Sequence, residues 1–238
     1  MEKSPLASKD VRLSRKISRE KHVIRAFTYD PPQAPVIYIH IDYDIIMVEK
    51  PSGLLSVPGK TEPDCLEARI KVDHPAALTV HRLDMATSGL MVFAKNPHAQ
   101  RHLGLQFEKR TIEKAYMARV AGHITQDEGD INLPLKTDWQ NRPKQKVCHE
   151  QGKPSQTAWS VMEREALATR VLLKPRTGRS HQLRVHMLAI GHPILGDQLY
   201  APDNVYAQAP RLQLHAHKLK LRLPTGGEWA EFESPCPF

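Results

Sequence analysis

Cysteine is scarce: the 238 residues contain three, Cys65, Cys148 and Cys236, far apart and with no Cys-x-x-Cys pair. An odd, scattered set argues against a disulfide framework and against a structural zinc knot. Reduced and mostly buried thiols are expected instead. Long apolar runs are missing as well. The best of them, Val36–Ile41 and Leu90–Ala94, fall far short of the ~20 residues a membrane-spanning helix needs. Nothing resembles a secretory signal, since charge enters at Glu2 and Lys3; a cytoplasmic protein with no membrane contact is expected. There is no His-Glu-x-x-His, and His181 and His186 are five apart, not the four that would set two imidazoles on one helix face. His215 and His217 could share one side of a strand, yet no carboxylate or cysteine accompanies them. No metal site is expected. Internal repeats, low-complexity stretches and apolar heptads are all lacking, so a monomer is expected.

What is present reads as an ordinary globular body with a basic arm. Apolar residues make up 40% and charged residues 25% of the chain, which is typical of folded domains and ample for a real core at this length. Lysine and arginine number 34 against 26 acidic residues, a net charge of +8. The excess is uneven. Residues 1–26 hold eight lysines and arginines against Glu2, Asp10 and Glu20. Such an arm suits a polyanionic partner, because each phosphate contact releases counterions; a merely solubilising tail would have the same composition. Pro31-Pro32 closes it. The expected organisation is a basic arm over 1–32 and one domain over 33–238.

Within the body, Val36–Ile41 and Ile45–Glu49 flank Asp42-Tyr43-Asp44 as a hairpin would, and residues 51–59 form a loop by their proline and glycine content. Gly89–Lys95 reads as a buried strand. Asn96-Pro97 supplies an N-cap and a first-turn proline for a helix to about Arg110. Tyr116–Ala121, Ile131–Leu135, Thr157–Met162 and Thr169–Lys174 follow as strands. A second helix starts near Ser180, with Leu183, Met187 and Leu188 along one side, and stops at Gly191. Leu214–Leu223 and Glu228–Phe232 end the chain as strands. Many strands joined by short turns, with two helices, predict an α+β domain around a central, mostly antiparallel mixed sheet flanked by helices and loops.

Two polar clusters interrupt this pattern. His81-Arg82-Leu83-Asp84-Met85-Ala86-Thr87-Ser88-Gly89 lies between apolar strands, where a loop holds side chains on a rigid frame. Alone, an Arg-x-Asp turn is equally what a surface salt bridge needs. Thr177-Gly178-Arg179-Ser180-His181-Gln182-Leu183-Arg184-Val185-His186 sits at a helix start, with Gly178 for a tight entry turn and Ser180 as a possible cap. Arg184, next to the buried-type Leu183, requires an anionic partner from elsewhere in the chain if it is buried.

These clusters, with Val48-Glu49-Lys50-Pro51-Ser52-Gly53-Leu54, Lys114-Ala115-Tyr116 and Gly191-His192-Pro193-Ile194-Leu195-Gly196-Asp197, closely resemble the RluA family of pseudouridine synthases. Order and spacing fit over roughly residues 36–235, and several separated motifs in agreement are far more specific than any one. The S4-type RNA-binding domain common in that family is not seen; the basic arm takes its end of the chain. Asn141-Arg142-Pro143-Lys144-Gln145-Lys146-Val147-Cys148 resembles the branch that modifies a uridine in the tRNA anticodon loop and another in 23S ribosomal RNA.

The resemblance implies an isomerase that converts uridine to pseudouridine in structured RNA without any cofactor. It assigns the reacting carboxylate to Asp84, which could attack C1′, add to uracil C6 or take a proton from C2′. It pairs Arg184 with Asp84, keeping the acid ionised and aimed, and sets Tyr116 against the target base. A uridine in a stem-loop must leave the stack before it can react, and Arg82 is placed to enter the vacated space. Lys114, Arg142, Lys144, Lys146 and Arg179 are the phosphate contacts expected on the body. Two other functions fit part of the pattern. A non-catalytic RNA-binding or ribosome-assembly protein would need only the basic arm and the helix start. A glycoside hydrolase would need a second acid–base carboxylate, which no motif supplies.

Overall fold

A computed structural model describes residues 28–238. Most of the basic arm expected over 1–32 therefore lies outside the described residues. The chain runs through β1 (Ile37–Ile41), β2 (Ile45–Lys50), α1 (Leu66–Asp73), β3 (Leu78–Thr79), β4 (Ser88–Ala94), α2 (Pro97–Lys109), β5 (Glu113–Ala121) and β6 (Glu128–Asn132). It continues with β7 (Leu135–Thr137), β8 (Gln145–Val147), β9 (Gln156–Arg164), β10 (Ala168–Pro175), α3 (Gln182–Ala189), α4 (Asp203–Tyr206), β11 (Leu214–Arg222) and β12 (Trp229–Glu233).

Ten strands make one sheet in the order β1-β2-β4-β11-β5-β10-β9-β6, with β12 beside β11 and β3 beside β4. Its pairings are antiparallel except for β4 with β11, which run parallel with His215 opposite Ser88 and Ala216 opposite Gly89. This is the α+β domain with a mostly antiparallel mixed sheet that the pattern of short strands predicts. β7 and β8 pair with each other as a hairpin separate from that sheet, and Leu135 of β7 also bridges to Lys153.

The sheet is covered on both faces, and the strands show why. Ile45 and Met47 of β2 pack with Leu90 and Val92 of β4 against Ala99 and Leu103 of α2. The alternate residues, Ile46, Val48, Met91 and Phe93, face Leu66 and Ile70 of α1. Covered on both sides, all of β4 is buried, so it reads as one continuous apolar run. In the other half, Val120 of β5 and Val171 and Leu173 of β10 pack on Leu183 and Met187 of α3. At the seam between the halves, Gly89 has φ +109 and a Cβ there would lie 2.3 Å from the Ala216 carbonyl oxygen. Only glycine permits that approach.

The hairpin of β1 and β2 and helix α2 stand where the sequence predicts them. The Asn96 side chain accepts from Ala99 N at 2.8 Å, Pro97 opens the helix, and Arg110 ends it in the left-handed region. Three expectations need correction. The strand predicted over Ile131–Leu135 is broken, because Pro134 lacks an N–H for the ladder and its carbonyl accepts from Cys148 N instead. Helix α1 is additional: it buries only Leu66 and Ile70, and its cap is the Cys65 thiol, accepting from Ala68 N at 3.3 Å. Helix α3 starts at Gln182, and Ser180 does not cap it. His181, with φ 54, is the cap residue and its side chain bonds elsewhere. Gln182 shapes the entry in its place, its Oε1 accepting from Thr177 Oγ1 at 2.7 Å and from Arg179 N at 3.0 Å.

Candidate active site

Asp84 lies on the loop between β3 and β4, and the segment after β2 holds that loop by its carbonyls. Ser56 Oγ donates to Leu83 O at 2.7 Å and accepts from Leu83 N at 3.1 Å. Ser52 Oγ donates to Ala86 O at 2.7 Å, and Gly53 N donates to Met85 O at 2.9 Å. Lys50 is fully buried, and its Nζ donates to Pro51 O at 2.8 Å, Leu54 O at 2.6 Å and Met85 O at 2.8 Å. Burial pushes the Lys50 ammonium down to about 7, while the Asp84 charge pulls it up. Three carbonyl acceptors match the three donors of its charged form. The run Lys50-Pro51-Ser52-Gly53 is thus a clamp on the Asp84 loop, a role that sequence reasoning did not assign it.

Asp84 faces Arg184, the third residue of α3. Arg184 Nη1 donates to Asp84 Oδ2 at 3.3 Å, and Arg184 is itself only 4% exposed. Its tighter partner is Asp197, a residue missed as a member of the site. Nε and Nη2 of Arg184 donate to the two Asp197 oxygens at 2.8 and 2.6 Å. Burial opposes the guanidinium charge, but the hydrogen bonds and charge of Asp197, with the charge of Asp84, outweigh it and raise its pKa. Asp197 also accepts from Leu199 N at 2.9 Å and Tyr200 N at 3.2 Å. A buried arginine between two carboxylates is fixed in position and presents one face of the fork to Asp84.

His181 is a second residue that sequence reasoning did not place beside Asp84. Its Nε2 is 4.0 Å from Asp84 Oδ1, and its Nδ1 shares a 2.6 Å hydrogen bond with the Tyr200 hydroxyl. Burial lowers its pKa, with Asp84 opposing. Tyr116 comes in from β5. Burial raises the pKa of its phenol, and the Asp84 charge raises it further, so it stands as a protonated hydroxyl in the pocket.

Asp84, Tyr116, Arg184, Lys114, Arg82 and Arg179 all line one pocket of 110 Å³. It shares most of its wall with a groove of 640 Å³ that reaches to Ser56, Phe107 and Arg110, a size suited to a substantial ligand. The catalytic trio expected from the motifs is therefore together. Arg82 is exposed on the rim, and Lys114 is half-buried, its pKa lowered by burial and then by Arg110. Arg142, Lys144 and Lys146 are apart from this pocket, on the β7–β8 hairpin. There Lys146 pairs with Asp138 at 3.1 Å and the Arg142 guanidinium sits 4.3 Å from the Trp139 ring centroid. His186, by contrast, is structural, bonded to Thr157 Oγ1 and Leu133 O at 3.0 Å each. No group of three or more metal-ligating side chains occurs among the described residues, and none of their helices is long and apolar enough to cross a membrane.

The family model described as RNA pseudouridylate synthase matches residues 44–189, a span that holds Asp84, Tyr116 and Arg184. The chain belongs to the RNA pseudouridylate synthase family. Among relatives of this pseudouridine synthase, the dual-specificity RNA pseudouridine synthase RluA of Salmonella typhi is 55% identical over 88% of this chain and 98% of its own length. The protein of that name from Escherichia coli (strain K12) is 54% identical over the same shares, and that from Pasteurella multocida is 49% identical over 89% and 98%. In three dimensions the synthase is similar to human RNA pseudouridylate synthase domain containing 1, with a TM-score of 0.75 and 30% identity over 88% of this chain and 87% of that one. Human RNA pseudouridylate synthase domain containing 4 shares the fold, with a TM-score of 0.69 at 24% identity over 84% and 88%.

Proposed function

We propose that this RNA pseudouridine synthase is dual-specific, modifying a uridine in a tRNA anticodon stem-loop and one in 23S ribosomal RNA, with Asp84 as the reacting carboxylate. The observation that carries the catalytic part is the Arg184 guanidinium held between Asp197 and Asp84 on the wall of a pocket that Tyr116 shares. Dual specificity is supported by the names of relatives 49–55% identical over nearly their whole length.

The reaction breaks the N1–C1′ bond, turns the uracil and joins C5 to C1′; the C5 hydrogen leaves as a proton and N1 gains one. Nothing is oxidised or hydrolysed, so side chains suffice. Attack at C1′, addition at C6 and removal of the C2′ proton all begin from a carboxylate in this place. Arg184 acts as a positioning residue, holding the carboxylate toward the pocket. Tyr116 bounds the pocket with a protonated phenol, able to pack on the base and to hydrogen-bond its edge. Arg82, exposed at the rim, enters the stack that the everted uridine vacates. Lys114 and Arg179 meet backbone phosphates at the same rim.

The test is a comparison of pseudouridine maps of tRNA and ribosomal RNA from cells with and without this chain. One anticodon-loop position and one 23S position should lose the modification together. Unchanged maps for both RNAs would sink the substrate assignment.

A further inference from the structure

Three recesses meet at Arg179. Two are the pocket and groove around Asp84; the third, of 450 Å³, lies between the β7–β8 hairpin and the loop Gly178–Ser180. Arg179 lines all three. Its Nε is buried with no hydrogen-bond partner among the described residues, whereas nearby Arg184 is held by two carboxylates. A buried guanidinium N–H with no acceptor costs free energy until one arrives, and a phosphate oxygen would serve. The catalytic chemistry makes no use of the third recess, which includes none of Asp84, Tyr116 and Arg184.

Its walls carry Trp139, Lys136, Gln145 and Lys153. Trp139 is 64% exposed on a hairpin outside the main sheet, so it is not there to fill a core. Arg142 stacks on the indole, and Asp138 ties the turn through Asn141 at 2.8 Å and Lys146 at 3.1 Å. An open aromatic ring flanked by lysines and an amide is the chemistry that binds an unstacked base with its backbone. The hairpin is also wired to the reacting centre: Gln145 N donates to the Tyr200 hydroxyl at 2.8 Å, which bonds His181, 4.0 Å from Asp84.

We propose that this recess takes a second unstacked base of the substrate RNA, from a nucleotide adjoining the target uridine, with the base against Trp139 and the phosphate joining the two nucleotides on Arg179. The inference rests on the RNA-modifying reading above and adds to it the element that reads the neighbouring nucleotide. The common wall at Gly178 and Arg179 is what makes adjoining nucleotides the fit, because one phosphate there lies between both sites.

The test is a binding cycle with the full-length protein and an anticodon stem-loop RNA in which each loop nucleotide in turn is made abasic. One abasic position next to the target should weaken wild-type binding by about 5- to 150-fold, the range of one stacked base. Trp139→Ala should lose a similar factor on intact RNA and little more on that abasic RNA, while Trp139→Phe restores most of the affinity. Arg179→Gln should flatten the log–log salt dependence by about 0.7, the share of one phosphate on a single strand. Losses that multiply between Trp139→Ala and every abasic position would overturn the subsite, as would affinity indifferent to Trp139. Turnover is read separately. A wild type that binds but makes no pseudouridine overturns the catalytic reading, while the binding cycle still decides the subsite.

Discussion

Asp197 is 1% exposed, directs both carboxylate oxygens at Arg184 and caps the backbone of Leu199 and Tyr200. Removing it leaves the guanidinium buried with Asp84 alone. Breaking a buried ion pair costs about 3–5 kcal/mol, which in a chain of this size lowers Tm by roughly 6–20 °C. Asp197→Ala should therefore melt earlier, and its rate of pseudouridine formation at saturating RNA should fall more than its RNA affinity. A variant with wild-type Tm and rate would remove Arg184 from the account. That Asp84, Tyr116 and Arg184 would line one pocket was legible in the sequence, because each stands inside a motif of recognisable spacing. The second partner of Arg184 was not, since Gly196-Asp197 looks the same at a solvent-exposed turn. Lys50 was hidden for a related reason: its work is done through the carbonyls of Pro51, Leu54 and Met85, and carbonyls carry no sequence signature.

Elements with a complete local signal were predictable, and the others were not. Asn96-Pro97 announces α2 because cap and first-turn proline are local chemistry. Helix α1 has two buried residues and a thiol cap, too little for periodicity to show. The boundary of α3 was misplaced by two residues, because Gln182 folds back on Arg179 N and Thr177 while Ser180 stays outside. Strand β4 carries the sharpest prediction at this scale. Gly89 combines a φ of +109 with a would-be Cβ 2.3 Å from Ala216 O, at the parallel pairing that joins the two halves of the sheet. Gly89→Ala should destabilise the protein by roughly 2–6 kcal/mol, from backbone strain and overpacking together. Urea unfolding checks this; a midpoint like that of wild type would mean the seam yields easily.

Across the whole molecule, the antiparallel character of the sheet was legible from its short strands. The β4–β11 junction was not, since it pairs Ser88 with His215 across the length of the domain. That junction also sets the response to acid. His215, between Ser88 Oγ at 2.9 Å and Ser234 Oγ at 3.0 Å, is pushed by burial down to about 4. His81 accepts from Val92 N at 3.1 Å and is pushed by burial, then by Lys114, down to about 3. Unfolded histidine titrates near 6.5. Both therefore contribute stability that is present above pH 6.5 and lost as pH falls toward 4 and 3, where the unfolded chain binds protons that the folded one refuses. The urea midpoint should drop between pH 7 and pH 4.5, and His215→Gln should show a shallower drop. An identical slope in that variant would exclude His215 as a cause.

The measurement closest to the centre of the account is product formation by Asp84→Asn on an anticodon stem-loop RNA, read beside binding to the same RNA. The substitution keeps the shape of the side chain and removes the carboxylate that faces Arg184 across 3.3 Å. RNA affinity should stay within about threefold of wild type while pseudouridine fails to form at any time. An Asp84→Asn protein that turns over within about tenfold of wild type would contradict the role of Asp84 as the reacting carboxylate.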